Sequence, residues 1–345
     1  MKKYLFLALR IGVALAALGY IVYKVNWKDN VDVQGVHQPG VISTLEGANW
    51  LLLVLALVMT GFIYPIFSTR WWMLMRVRNI PCSLFKAFRL AMVGCFFNYC
   101  MLGTTGGDFV KAYYAAKGSD RKADAVISVV VDRILGLMGL FVVAGVAGLF
   151  MLHDPQARQI TGMIWLAAAF GVIAASVYFS GRLRKLLQLD RLISKLPGAR
   201  LIATIDQAAV AYRGHVGTLF IGLGMSTLLH LILTGATIVG AIALGVTQPV
   251  GLMFTVIPVL FLGAAIPIAP QGIGVMEAIG EQLLVNPPAC TFNQLVGLLM
   301  LTRMFQVLYS LIGALFLLKG DIHLHPAPEP PEPSQNTSKV APEVL

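Results

Sequence analysis

Charge is scarce in this chain. Only 12% of its 345 residues are Asp, Glu, Lys or Arg, 57% are hydrophobic, and the mean hydropathy is +0.78. That balance excludes a soluble globular domain, which has no room to bury so much apolar side chain. Cysteine is sparse too. Cys82, Cys95, Cys100 and Cys290 form no CxxC pair and no Cys/His set, which argues against a zinc framework or disulfides. They read as small apolar residues of a membrane interior. The short alternating segments of a transmembrane barrel are missing. So are an HExxH helix and a Ser-His-Asp set, and Gly272-Ile273-Gly274 follows no strand, so it is no dinucleotide fingerprint. With no hydrolase or transferase constellation, the chain is expected to be no enzyme and to hold no cofactor or metal. The formal net charge of +10 comes without an aromatic-basic module, so it belongs to basic loops and not to nucleic-acid binding.

What the chain does have is long apolar runs. Stretches 4–25, 48–69, 124–152, 161–180, 216–245 and 294–318 are each long enough to span a bilayer. The first follows Lys2 and Lys3 like a signal sequence, but Arg10 interrupts it and it runs on to Val25, so an uncleaved first helix is expected. Two further apolar regions, 84–117 and 250–285, are broken near their middles. The first break is Gly103-Thr104-Thr105-Gly106-Gly107-Asp108; the second runs from Pro267 through Pro270, Gly272 and Gly274 to Glu277.

Basic residues cluster in 70–89, 111–122 and 182–213, whereas 26–47 has only Lys28, 153–160 only Arg158, and 246–293 none. Basic loops stay cytoplasmic. The stretch between the first two basic regions should therefore enter and leave the membrane on one side, and 250–285 by parity should do so from the other. The expected fold is an all-α polytopic membrane protein of about six full spans and two oppositely directed re-entrant helical hairpins. Both termini are cytoplasmic, and a plasma (inner) membrane is expected. Irregular backbone at membrane depth must be buried or line a wet cavity, so the hairpin tips should meet near the midplane. A weak inverted repeat is suggested: each half has a broken hairpin, an acid, then a span with an arginine. The membrane domain covers 1–320. Within it 181–215 reads as a cytoplasmic amphipathic segment able to lie on an anionic leaflet, or else as an ordinary basic loop. Residues 321–345 read as a disordered Pro/Glu-rich tail, with His323 and His325 incidental.

Seven charged residues are candidates for substrate binding: Asp108, Lys111, Asp132, Arg133, Glu277, Glu281 and Arg303. A carboxylate or cation in hydrocarbon is costly and marks a site or a structural clamp. Asp108 opens a helix after Gly106 and Gly107, and Lys111 follows on the same face. Together they could receive an anionic headgroup or simply cap the hairpin. Asp132 and Arg133 lie roughly 13 Å into their span and point about 100° apart, so each needs its own partner. The expected pairs are Arg133 with Asp108, and Asp132 with Lys111 or a substrate. Glu277 and Glu281 share a face and call for a cation, for which Arg303 is the obvious candidate. Gly106, Gly107, Pro270, Gly272 and Gly274 form the hairpin tips. His230 reads as a hydrogen-bonded packing residue, the glycines at 136, 139, 145 and 148 as close helix contacts, and Arg70-Trp71-Trp72 as an interfacial anchor.

These residues, in this order and spacing, resemble the flippase-like family, the transmembrane region of lysylphosphatidylglycerol synthases. The resemblance covers about 5–320: Arg70-Trp71 and Asn98, Gly106-Gly107-Asp108, Ser128 to Asp132-Arg133, Pro267 through Gly272-Ile273-Gly274 to Glu277, and Arg303. Such a resemblance implies movement of an aminoacylated or otherwise modified lipid between leaflets. The soluble aminoacyl-transferase domain of the bifunctional synthases is not expected here. The chain departs from the family pattern at Met101-Leu102, where a proline is usual, and at Lys111 and Met276, where arginine is usual. Neither lysine nor methionine makes a bidentate phosphate clamp. The leading expectation is a lipid flippase acting on anionic, aminoacylated or polyprenyl-linked lipids. A proton-linked carrier of a small polar solute, and a non-transporting partner that docks a cytoplasmic enzyme through 181–215, stay open beside it.

Overall fold

The structure is a computed structural model. It describes residues 19–31, 37–100, 106–117, 121–150, 152–153, 155–179, 212, 214–265 and 270–318. Most of the first expected span, the segment 181–215 apart from its last residues, Gly103 to Thr105, Pro267 to Ala269 and the tail lie outside those residues.

Helix dominates, as the apolar runs require. After a short helical stretch at 19–24 comes a two-stranded antiparallel ribbon, β1 (Asn30–Val31) and β2 (His37–Gln38). The helices follow in order: α1 (Val41–Glu46), α2 (Trp50–Val77), α3 (Leu84–Cys100), α4 (Gly106–Lys117), α5 (Lys122–Leu149), α6 (Pro155–Phe179), α7 (Val216–Ala243), α8 (Val250–Ala265), α9 (Val275–Leu283) and α10 (Phe292–Leu318). A single 3-10 turn, Pro270–Gly272, precedes α9. Among the described residues, α2, α5, α7 and α10 are long and apolar enough to cross a membrane. At 27 or 28 residues each, they reach roughly 40 Å by helical rise, beyond the hydrocarbon thickness.

Contacts at the helix ends sort them onto two faces. On one face, Arg78 at the end of α2 donates to Asp124 in the first turn of α5 at 2.6 Å, and Phe85 of α3 meets Phe316 of α10 edge-on at 6.3 Å. On the other, the Asn49 amide that caps α2 donates to the Ala243 carbonyl ending α7, and Gln294 of α10 donates to the Leu244 carbonyl. The α3–α4 hairpin therefore enters and leaves on the first face, and α8–α9 on the second. Each is a helix, a break and a helix packed back on the first.

The two halves repeat in register. A 28-residue span (α2, α7) leads each, then a hairpin whose first helix has 17 or 16 residues (α3, α8), then a span of 28 or 27 (α5, α10). Asp108 is the third residue of α4 and Glu277 the third of α9; Arg133 is the twelfth of α5 and Arg303 the twelfth of α10. Acid and arginine are 25 residues apart in one half and 26 in the other. Because the hairpins enter from opposite faces, this is an inverted repeat, and it places both acid–arginine pairs at matching depths.

Small residues allow the close approaches. Gly139 packs on Ser226 and Thr227 of α7, and Gly148 on Thr161 of α6. Cys95 and Cys290 are buried, and Cys82 is half-buried in the loop after α2. Burial pushes the Cys290 thiol, in the loop before α10, up to about 12, so it stays protonated and inert at neutral pH. In the first hairpin Gly107 lies against the backbone of Gly94, where any Cβ would collide with the Gly94 carbonyl; Gly162 by contrast faces open space. Gly107→Val should therefore cost about 2–3 kcal/mol of stability through overpacking, and Gly162→Val close to nothing. Thermal unfolding midpoints of the two purified variants in detergent check this; equal midpoints would mean that the hairpin does not close at Gly107.

Candidate functional site

The broken hairpins bring charge to the interior. After the break, the Gly107 amide donates to Asn98 Oδ1 at 2.8 Å, which ties the start of α4 to the end of α3. One turn on, Lys111 is almost wholly buried and lies across Gly94. Its Nζ sits 4.2 Å from the Phe67 ring centroid and 4.5 Å from that of Trp71, where the ring faces stabilise a desolvated ammonium. The same Nζ donates to Asp132 Oδ2 at 3.2 Å. The other carboxylate oxygen, Oδ1, accepts from Arg70 Nε at 2.8 Å, and Arg70 Nη1 donates to Ser226 Oγ at 2.6 Å. Trp71 is held by its own indole N–H, which donates to Ser128 Oγ. One carboxylate thus joins α2, α4 and α5. Beside this triad Arg133 pairs with Asp108 across α5 and α4, with side chains 38% and 18% exposed.

The second hairpin turns through left-handed backbone. Gln271 has φ 51°, and Gly272, at φ 66°, packs against the Ala264 backbone, where no side chain would fit. Gln271 Nε2 donates to the Tyr99 carbonyl at 2.9 Å, so the two hairpin tips meet. Glu277 accepts from the Gly274 amide at 2.7 Å, from Arg303 Nη1 at 2.6 Å and from Arg303 Nη2 at 3.3 Å. This pair is the more enclosed of the two, at 15% and 3% exposed.

Between the tips lies a cavity of about 360 Å³. Arg70, Asp108, Asp132, Arg133 and Arg303 supply its charge; Asn98, Gln271, His230 and Gln306 add polar groups, and leucines of α5 and α7 give it an apolar side. Its lining reaches the outer surface on α5, where Leu137 is 41% exposed one turn beyond Arg133. Arg133 lies roughly 17 Å along α5 by helical rise, so this mouth opens partway across the span.

Most of the expected residues converge here. The pairs Arg133–Asp108, Lys111–Asp132 and Arg303–Glu277 all form. Gly106 and Gly107 start α4, Pro270 and Gly272 form the 3-10 turn, and Gly274 begins α9. Lys111 and Glu277 stand behind the cavity wall and do not line the cavity. Glu281 is a correction: it turns away from Glu277 and Arg303 to pair with Lys24 of the first helix, 257 residues earlier in sequence. Arg70 is another. It is no interfacial anchor but 3% exposed, with Trp71 fully buried behind it, because α2 continues past them to Val77. The apolar run Trp71-Trp72-Met73-Leu74-Met75 after Arg70 is the signal that could have shown this. Gly136 lies over the Arg70 guanidinium, and its carbonyl is 3.0 Å from His230 Nε2. Met276 places its sulfur 3.7 Å from Arg303 Nη2.

Fold and site define a polytopic α-helical integral membrane protein with two opposed broken hairpins around a charged cavity. The chain belongs to the lysylphosphatidylglycerol synthase transmembrane-region family, whose model matches residues 7–313. That region is the membrane part of those synthases, and membership points to a role concerned with membrane lipids. No curated protein matches the chain.

Asp132 is the residue whose loss the site tolerates least. Asp132→Asn leaves two buried cations without their shared carboxylate and should cost about 3–5 kcal/mol, while Arg133→Gln, which leaves one partly exposed carboxylate and no uncompensated cation, should cost less. Adding Lys111→Met to Asp132→Asn should recover part of the loss. Unfolding midpoints for this mutant cycle test the assignment; an additive cycle would rule out the shared carboxylate.

Proposed function

We propose that the protein moves a lipid between the two leaflets of the plasma (inner) membrane, with the headgroup passing through the cavity between the hairpin tips and the acyl chains outside it. The supporting observation is the mouth at Arg133 and Leu137: a charged cavity opening on the flank of a spanning helix faces hydrocarbon, where a headgroup arrives with its tails still in lipid. A site for a free solute would open to water at one face instead. Asp108, Arg133, Glu277 and Arg303 are the residues assigned to the passage, with Lys111 and Asp132 bracing its inner wall. Each arginine already carries a carboxylate partner, so a passing phosphate trades one ion pair for another and meets no bare charge. On this reading the protein moves its substrate without covalent chemistry. On the same reading the face with the basic clusters at the end of α2 and the start of α5 is the cytoplasmic one, and both termini lie on that side.

The test is leaflet movement. Purified protein is reconstituted in liposomes with headgroup-labelled anionic, aminoacylated or polyprenyl-phosphate lipid, and loss of outer-leaflet label is followed with a quencher. Movement of one class should require the protein and should fall about tenfold or more in Arg133→Gln and Arg303→Gln, since each loses a charged contact worth a factor of that size. No movement of any class, with or without a proton gradient, would sink the proposal. Gradient-dependent uptake of a water-soluble probe would replace it with a solute carrier.

A further inference from the structure

The repeat matches in register but not in content. Arg70 is the twenty-first residue of α2, and its counterpart in α7 is Ala236. Lys111, sixth in α4, corresponds to Gly280 in α9; Asp132, eleventh in α5, corresponds to Thr302 in α10. Among the described residues the second half thus has no ionic layer behind its acid–arginine pair. Around Ala236 and Thr302 there is only a space of about 10 Å³, at the lower limit for one water.

The charges of the cluster do not cancel. Arg133 with Asp108 sums to zero, and so does Arg303 with Glu277. Arg70 and Lys111 against Asp132 leave one positive charge, in the half that alone has these three groups. An excess charge in low dielectric is costly unless an anion meets it. Lys111 is already enclosed, with Asp132 on one side and the faces of Phe67 and Trp71 on others. Arg70 is not. Its Nε serves Asp132 and its Nη1 serves Ser226, and no partner of Nη2 is found among the described residues, although Arg70 lines the cavity. Gly136 leaves that edge uncovered: a Cβ there would stand 3.7 Å from Nη2.

We propose that Arg70 is the anion-recognition residue of the cavity, its Nη2 edge binding one singly charged oxyanion, a phosphodiester. The inference rests on the proposal that a lipid headgroup enters the cavity, and it assigns recognition to the inner wall instead of the two exposed acid–arginine pairs. Those pairs are neutral and reset after each passage, while the fixed excess charge selects what enters. A phosphodiester carries the single negative charge that balances the site; an uncharged glycerolipid leaves it unbalanced.

Binding tests this apart from transport. The full-length protein in detergent is titrated calorimetrically with short-chain phosphatidylglycerol, with the matching diacylglycerol, and with inorganic phosphate and sodium chloride. Phosphatidylglycerol should bind about tenfold or more tighter than diacylglycerol, and Arg70→Gln should remove that preference, as should Gly136→Leu, which covers the Nη2 edge and changes no charge. Lys24→Gln removes a cation outside the cavity and should leave the preference intact. In Arg70→Gln the Asp132–Lys111 pair remains neutral, so the fold should hold; if it does not, Gly136→Leu decides. A preference that survives Arg70→Gln or Gly136→Leu would overturn the assignment. So would phosphate or chloride binding alone with the same Arg70 dependence, since the site would then serve a free ion. Arg70-dependent lipid binding in a protein that moves no lipid would uphold the anion site while sinking the transport proposal.

Discussion

A helix interrupted inside hydrocarbon leaves amides and carbonyls that water cannot reach, and each must find its partner within the protein. Much of the architecture follows from that requirement. The first hairpin answers it with Asn98, whose side-chain oxygen takes the Gly107 amide. The second uses Glu277, whose carboxylate takes the Gly274 amide. Neither hairpin is self-sufficient, because the Tyr99 carbonyl near the end of α3 receives its hydrogen bond from Gln271 of the opposite tip. That contact costs backbone strain of order 1 kcal/mol or more, since Gln271 is a non-glycine residue in left-handed backbone. The tips therefore meet because the backbone needs them to, and the cavity is the space left around that meeting.

Charge enters on the same terms. An acid in the first turn after a break faces the positive end of its own short helix, and the arginine of the next span closes the pair. Buried ion pairs of this kind add little net stability, because desolvation offsets their attraction. Their uniform register in both halves is thus poorly explained by stability alone. What the register does achieve is position: two guanidiniums reach the two sides of one cavity from opposite faces of the membrane. The further layer formed by Arg70, Lys111 and Asp132 is different, because it links three helices of one half and leaves charge uncancelled.

How far the sequence reveals this depends on the range of each interaction. Apolar length marks α2, α5, α7 and α10, and glycine and proline mark both breaks, because these are local properties of the chain. The pairs of Asp108 with Arg133 and of Glu277 with Arg303 are legible too, since each joins a hairpin to the next span and both partners stand out against apolar neighbours. Arg70 misleads because a basic residue beside two tryptophans, at the end of an apolar run, has the composition of a membrane interface. Only the register of the completed helix turns it inward. Glu281 misleads for the opposite reason. Its spacing from Glu277 suggests a shared cation, but its actual partner, Lys24, sits on the first helix, and no local pattern connects them. Gln271, which joins the tips, carries no sequence signal at all.

The unequal halves bear on how such a cavity could change shape. In a symmetric inverted repeat both hairpins could shift equally. Here opening the first would part Lys111 of α4 from Asp132 of α5, exposing buried charge at a cost of several kcal/mol, while Arg70 of α2 stays with Asp132. The second is tied by the Glu277–Arg303 pair, by the more exposed Lys24–Glu281 pair and by packing, with Gly280 set against Leu295 and Gly263 against Ile279. Packed small residues slide at little cost where a buried shared carboxylate does not. The ionic half is therefore the stiffer one. If a headgroup enters as proposed, the stiffer wall beside Arg70 stays fixed and the softer hairpin moves, so closure would come from α8 and α9.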